Sequence, residues 1–596
     1  MMDIYLDKIL KKKFNFLKAF LDTFKIGFMV APAHFILFIC IDILNSVLVA
    51  AMTYFTSNFF STVTNNTEYS KGVIIALVVL CVIIIMQHVT NGIGHSVIPA
   101  IKLKMDRDAM IRLNRKMQEF PTVWFENQEF LIFVEKAYRG TGYSFDVLVP
   151  MMRFLFKYGP YCIIMGAYLY SLDPILALCI VLIFVPTFLT IALRPEIFFN
   201  LEDNAAPVRR VNQHYRQCIT EPEYYKETRT LGVYNYFIKK FIESLDLLNN
   251  LIWKAQLKLK ILDFGTAFIS LCGYGGVIYL LANSLLKGHI TVAMFAAVFA
   301  SMSNIYAMCD DTAGHFLAPF DGMATVKNFL SLLYADIPER EEKNISFTEG
   351  ITFDNVSFSY IGSEKKALDQ VTLDIKGGET IAIVGINGSG KTTLSRLLLG
   401  LYVPNEGIVR IGGVDTREVK RSSVTRGMSA VFQKFQKYKM TLAENIQIGD
   451  SELQDNKYII NTSIKQADIN LEEDKFPDGL DTMLSRDFGG IELSGGQWQR
   501  VAIARGLYRI RDVIVLDEPT AAIDPIEETR LYEKFAEVSK GKTSVLITHR
   551  IGSARIADRI VVMNEGKIAE IGNHEELISK NGLYKEMFDA QIKWYQ

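Results

Sequence analysis

Gly385-Ile-Asn-Gly-Ser-Gly390-Lys391-Thr392 decides how this chain is read. It follows Ile381-Ala-Ile-Val384, an apolar run of buried-strand character, and precedes Leu394–Leu399, a helix start. Glycines let backbone N–H groups curl around phosphate oxygens, and the helix N-terminus adds its positive dipole. Lys391 offers a cation to the outer phosphates, and the Thr392 hydroxyl can ligate Mg²⁺. Farther on come Leu493-Ser-Gly-Gly-Gln497 and Leu516-Asp-Glu-Pro519, and the three segments in this order narrow a large phosphate-binding superfamily to one branch.

Around these segments the C-terminal half alternates short apolar runs with helix-prone stretches. Ile351–Tyr360, Val371–Ile375, Ile381–Val384, Ile408–Ile411, Met428–Phe432, Val513–Leu516, Ser544–Ile547 and Ile560–Met563 read as strands. The pattern predicts an α/β nucleotide-binding domain with an antiparallel start.

The N-terminal half has another character. Up to about Leu333 it is dominated by six apolar blocks: Ile26–Phe55, Val73–Ile98, Val147–Tyr170, Pro174–Leu193, Ile261–Leu286 and Ile290–Met308. Each is near or above the about 20 residues a helix needs to cross a bilayer. The first is too long for a signal-peptide core and lacks a small-residue cleavage pattern. Before it, Lys8-Ile-Leu-Lys11-Lys12-Lys13-Phe14 reads as an amphipathic helix on an anionic membrane surface. Basic residues set the orientation. Lys102, Lys104, Arg107, Arg112, Arg115 and Lys116 fall in one long connection, and Arg209, Arg210, Arg216, Lys226, Arg229, Lys239 and Lys240 in another. Both connections, and both termini, are expected on the cytoplasmic side. Phe120-Pro-Thr-Val-Trp124-Phe125 and Pro222-Glu-Tyr-Tyr-Lys-Glu-Thr-Arg229 are expected to form short transverse turns at their far ends.

The 596 residues, 50% of them hydrophobic, carry a formal net charge of −1. That length implies several domains, and near-neutral charge argues against nucleic acid as a partner. The seven cysteines contain no CxxC pair and none lies after Cys309, so they read as small hydrophobes.

The phosphate loop, the LSGGQ segment and the Asp-Glu pair together resemble the ATP-binding cassette exporters of half-transporter type, bacterial bacteriocin, lantibiotic and multidrug exporters among them. The resemblance covers essentially the whole chain. It implies a multi-domain membrane protein: an N-terminal amphipathic elbow (1–25), an all-α six-helix transmembrane domain (26–333), a linker (334–348) and an α/β P-loop cassette domain (349–596). It implies ATP and Mg²⁺ as cofactors. ATP would be held by Tyr360, Gly385, Asn387, Gly388, Ser389, Gly390, Lys391, Thr392 and Thr393. Ser494, Gly495, Gly496, Gln497 and Asp524 would complete the site of a partner cassette. Thr392, Gln433 and Asp517 would meet the metal. Glu518 would be the general base or water-orienting residue, His549 the switch histidine, and Gln433 the glutamine that meets attacking water. A strand-end tyrosine such as Tyr360 can equally be a packing residue. One departure is local: many exporters carry Gly-Glu-Arg-Gly before the signature, where this chain has Arg486-Asp-Phe-Gly-Gly-Ile-Glu492. That segment and Trp498 are similar to lantibiotic exporters.

The resemblance implies a dimer with a second copy or a paralogous half-transporter, in a bacterial plasma membrane. It implies ATP-driven export of a peptide or amphipathic compound by alternating access. The alternatives are a lipid flippase or multidrug exporter, and a non-transporting regulatory ATPase. Fusion of membrane and ATPase domains in this order disfavours an importer. For the cargo, Gln87, Asn91 and His95 recur every four residues on one helical stripe, and Asp42, Asp263, Asp310, Asp311 and His315 add polar groups. Helix–helix hydrogen bonding suits the same residues equally. Asp311 and His315 alone are too few for a metal site. No peptidase domain is expected before the first span.

Overall fold

In the computed structural model, the described residues are 16–65, 71–172, 174, 197, 200–300, 302, 325–337, 340–453, 456–471, 476–509, 511–519 and 525–595. Their contacts divide the chain into two units, one of 1–119 with 129–336 and one of 120–128 with 337–596.

The first unit is helical. Among the described residues, four helical stretches are long and apolar enough to cross a membrane: Pro32–Thr64, Lys71–Met117, Gln128–Ser171 and Tyr234–Leu286. Residues 175–193 of the block Pro174–Leu193 lie outside the described residues, as do 301 and 303–308 of the last block. The first apolar block is not one helix. Phe16–Val30 forms its own helix, and a second starts at Pro32. Proline has no N–H and disfavours helical geometry at Ala31, so the chain breaks there rather than before Ile26. The elbow helix buries Ala19, Thr23 and Ile26, one stripe at i, i+4 and i+7. Gly27 makes the turn possible: a Cβ there would stand 2.4 Å from the Phe35 ring. The neighbouring core gathers Phe35, Phe38, Ile41, Val97, Ile101, Met105, Phe145, Leu148 and Met152 from three helices.

The third stretch is not uniform either. Gln128–Arg153 is α-helical, Phe154–Tyr158 opens into a π turn, and Gly159–Leu172 resumes the α-helix. The Ser46 hydroxyl donates to the Lys157 carbonyl within this turn. A wider turn releases backbone carbonyls, and a hydroxyl from a neighbouring helix satisfies one of them.

The second unit holds two sheets. Strands β1 (Ile351–Phe358), β2 (Leu368–Ile375), β4 (Glu406–Ile411) and β5 (Val414–Asp415) form an antiparallel sheet in the order β2-β1-β4-β5. Strands β3 (Thr380–Gly385), β6 (Met428–Val431), β7 (Val513–Asp517), β8 (Thr543–Ile547), β9 (Arg559–Asn564) and β10 (Lys567–Gly572) form the other, ordered β10-β9-β3-β8-β7-β6. Pairing is parallel from β9 through β6, and β10 is antiparallel to β9. β3, β7 and β8 are buried almost throughout, as expected of parallel strands covered on both faces. A parallel sheet collects ligands at the carboxyl ends of its strands, and that edge carries the residues below.

Candidate nucleotide site

The phosphate loop turns directly from β3 into the helix Lys391–Leu398. Gly390 caps that helix at φ +104°, a left-handed conformation, and a Cβ there would lie 2.8 Å from the Ala367 carbonyl. Any other residue would be strained twice over. Lys391 is buried, and its ammonium donates to the carbonyls of Gly385 at 2.8 Å and Ile386 at 3.0 Å. The lysine is thus folded across the mouth of the loop. Burial pulls the ammonium below its ordinary pKa, against the raising effect of Glu518 and Asp517. The Ser389 hydroxyl is buried without a hydrogen-bond partner among the described residues, whereas Asn387, Gly388 and Thr392 are exposed. The Thr393 hydroxyl meets the Tyr360 hydroxyl at 2.9 Å.

Tyr360 lies two residues past the strand it was expected to end. β1 stops at Phe358 because the Asn405 side chain takes the Ser359 N–H at 2.7 Å. Its ring meets Phe358 and Tyr402 edge-on, at 5.3 and 6.0 Å between centroids.

At the end of β7, Asp517 is buried and its Oδ1 has no hydrogen-bond partner among the described residues. Burial, then the adjacent Glu518 charge, pushes its carboxyl up to about 6, although Arg396 and Lys391 pull the other way. A buried carboxylate oxygen left open beside a phosphate loop fits a divalent cation. Glu518 adopts φ +47°, rare for a non-glycine, with its N–H donated to the Ile547 carbonyl at 2.9 Å. Such strain clusters where a side chain must be aimed. Glu518 Oε2 accepts from Gln433 Nε2 at 2.5 Å and lies 3.2 Å from His549 Nδ1. Gln433 and His549, from beyond the ends of β6 and β8, therefore converge on one carboxylate oxygen of Glu518 at the end of β7.

The signature segment is organised by its own cap. Ser494 Oγ accepts the Gln497 N–H at 3.4 Å, and Gln497 Oε1 accepts the Ser494 N–H at 2.9 Å. This capping box starts the helix at Gly495, two residues before Gln497. The first N–H groups of a 14-residue helix face outward at an anion-binding end. Asp524 lies outside the described residues.

Sequence reasoning missed three participants. Glu126 ends the short 3₁₀ turn Thr122–Glu126, which packs with the second unit. Its carboxylate accepts from Arg396 at 3.0 Å and from the Tyr402 hydroxyl. Arg396 also donates to Tyr402 at 2.6 Å and reaches the Tyr360 hydroxyl at 3.5 Å. Trp124 and Val123 are buried, and Arg421 donates to the Thr122 hydroxyl. A lone glutamate, arginine and tyrosine carry no local signal; their meeting is a product of the fold.

Within the membrane unit, the buried seam of Lys71–Met117 runs through Ile83, Thr90, Gly94, Val97 and Ile101. Asn45 Nδ2 reaches Thr90 Oγ1 across it at 3.4 Å. That phase leaves Gln87 half-buried and Asn91 and His95 exposed, whereas Asp42 is buried with Oδ2 unpartnered among the described residues. Asp263 keeps a buried carboxylate oxygen inside the helix Tyr234–Leu286, and Asp310, Asp311 and His315 lie outside the described residues.

Comparison with known proteins agrees with this geometry. The profile of the ABC transporter family matches residues 368–521. Over 98% of the chain, the sequence is 28% identical to the subtilin transport ATP-binding protein SpaT of Bacillus subtilis, covering 95% of that protein. The ATP-dependent lipid A-core flippase of Haemophilus ducreyi is 36% identical over 311 residues, 52% of this chain and 53% of the flippase. Among solved structures, a bacterial Atm1-family ABC exporter with ATP bound matches with a TM-score of 0.81 at 20% identity, over 92% of this chain and 98% of that one, a likeness of fold. The chain therefore joins a helical membrane domain to an ATP-binding, ATP-hydrolysing cassette. Residues 368–521 carry an ABC transporter cassette, and the chain as a whole has the fold of an ABC exporter.

Proposed function

We propose that this exporter moves a peptide or amphipathic compound out across the cytoplasmic membrane, as a dimer whose ATP is hydrolysed between two cassettes. The observation that carries the cargo reading is the end-to-end similarity to a subtilin transporter. The hydrolytic reading rests on the convergence of Gln433 and His549 on Glu518.

In this account the loop amides of 385–390 and Lys391 hold the β- and γ-phosphates, and Tyr360 lies against the base. Asp517, Thr392 and Gln433 would hold Mg²⁺, which neutralises charge on the phosphates when bound. Glu518 orients and deprotonates the attacking water, while His549 holds the carboxylate from the other side. Lys391 must release the Gly385 and Ile386 carbonyls to reach phosphate, so loop closure and nucleotide binding are one event. Ser494–Gln497 of a second subunit cap the γ-phosphate. ATP then favours the closed pair, hydrolysis removes that preference, and the turn at 122–126 passes the change to the membrane helices. Both termini lie on the cytoplasmic side.

Purified protein in liposomes should accumulate a lanthionine-type peptide in inside-out vesicles only with hydrolysable ATP. A second reading, lipid flipping, is favoured by the 36% identity to a lipid A-core flippase over about half the chain. Stimulation of ATPase by lipid A, with no uptake of peptide, would decide for it.

A further inference from the structure

The helix Leu583–Tyr595, last in chain order, does more than cover the sheet. Its start is fixed by Glu570, whose carboxylate accepts the Leu583 N–H at 2.6 Å and the Tyr584 N–H at 3.3 Å. Tyr584 is fully buried beside Ile551, Ala554, Ile560, Val562 and Leu577, with Met587 and Phe588 packed against the same core. His574 Nδ1 meets the Tyr584 hydroxyl at 2.8 Å. Tyr584, Phe588 and Gln591 stand at i, i+4 and i+7, so packing of the first two turns aims Gln591 along one stripe.

Gln591 meets the loop that carries His549. Its Oε1 accepts the Ile551 N–H at 2.9 Å, and its Nε2 donates to the His549 carbonyl. One amide thus brackets the backbone on both sides of Arg550. From within, the Thr548 hydroxyl accepts the Arg550 N–H at 3.0 Å, and Ser553 Oγ donates to the Arg550 carbonyl at 2.7 Å. Gln591 adds two bonds to this loop from another helix, one of them on the peptide that follows His549. That peptide sets where the imidazole lies, 3.2 Å from Glu518 Oε2, on a side chain 47% exposed and little confined by packing.

We propose that Gln591 is a positioning residue for ATP hydrolysis: its side-chain amide clamps the His549–Ile551 backbone and thereby holds the imidazole against Glu518. The clamp rests on the reading of Glu518 and His549 as the hydrolytic pair. Its bonds go to the backbone of His549 and Ile551 and to none of the groups assigned to hold nucleotide or metal, so it acts on turnover and not on nucleotide affinity.

The test is steady-state ATPase of the full-length protein in nanodiscs for Gln591→Ala, Gln591→Glu and His549→Ala, with binding of a non-hydrolysable ATP analogue measured alongside. Gln591→Ala removes both bonds and should lower kcat about tenfold, since small misplacements near the chemistry cost that much or more. KM and analogue affinity should stay within about twofold of wild type, because nothing that holds the nucleotide is lost. Gln591→Glu keeps the acceptor for Ile551 but sets a carboxylate against the His549 carbonyl, so kcat should fall without loss of the helix. Melting temperatures near wild type for both show that Tyr584 and Phe588 still seat the helix. Wild-type kcat in both Gln591 variants, with His549→Ala inactive, overturns the clamp. Wild-type kcat in His549→Ala overturns the underlying assignment of the histidine instead.

Discussion

Glu518 sits in a backbone conformation that costs on the order of 1–3 kcal/mol for a residue with a Cβ, and it receives hydrogen-bond partners on two sides. Replacing it by glutamine preserves size and strain but removes the base. Glu518→Gln should retain ATP, hydrolyse it at least about a hundredfold more slowly, and accumulate nucleotide-bound dimer; ATPase near the wild-type rate would remove Glu518 from its role. The neighbouring Asp517 carries the pH dependence. Its folded pKa of about 6 lies above the ordinary 3.8, so its protonated form is favoured by folding. That contribution is complete below about pH 4 and is lost as pH rises through 6. Asp517→Asn should therefore stabilise the nucleotide-free protein by about 2 kcal/mol at pH 7.5, with the gap closing by pH 4, as read by chemical denaturation. Mg²⁺–ATP binding runs the opposite way: it needs the carboxylate, and its affinity in wild type should weaken below pH 6. A variant no more stable than wild type at pH 7.5 would show that the buried charge is met by something else.

Elements that depend on neighbours in sequence were the legible ones. The strand–glycine–helix turn at 385–391 is dictated by local spacing, and β3, β7 and β8 by unbroken apolar runs. Hydropathy could not see the break at Ala31, because apolar residues flank Pro32 on both sides. β10 escaped because Lys567–Gly572 alternates with charge and lies at a sheet edge. The stripe Gln87–Asn91–His95 was legible as a stripe, but which way it faces depends on the packing of Thr90 and Gly94 against another helix. Glu126 belongs with these long-range features. It reaches Arg396 and Tyr402 from some 270 positions away along the chain. The pair is half exposed, so Glu126→Ala should cost about 1 kcal/mol or less of stability. Its larger effect should be on coupling: cargo moved per ATP should fall several-fold while basal ATPase persists. An unchanged transport-to-hydrolysis ratio in proteoliposomes would reduce the contact to packing.

At the scale of the whole molecule, one chain offers two anion-binding ends, the phosphate loop before Lys391 and the capped helix at Ser494, yet among the described residues the signature bonds to itself and not to that loop. A site that uses both must draw them from different copies. Two inactive variants then become informative together. Lys391→Ala destroys the loop of its own subunit, and Ser494→Arg destroys the cap that subunit lends to its partner. Each homodimer has no complete site. In a one-to-one mixture half the dimers are mixed, and each of these contains one site with both parts intact, so ATPase should return to about a quarter of wild type. Exchange must be complete for that figure, which co-expression with two different affinity tags and sequential purification ensures; the doubly purified pair alone should then reach about half. If hydrolysis needs both sites in concert, turnover stays low, but one nucleotide per mixed dimer should still be trapped when Glu518→Gln is added to both chains. Mixed dimers that neither hydrolyse nor trap ATP would mean that each cassette completes its site from its own residues.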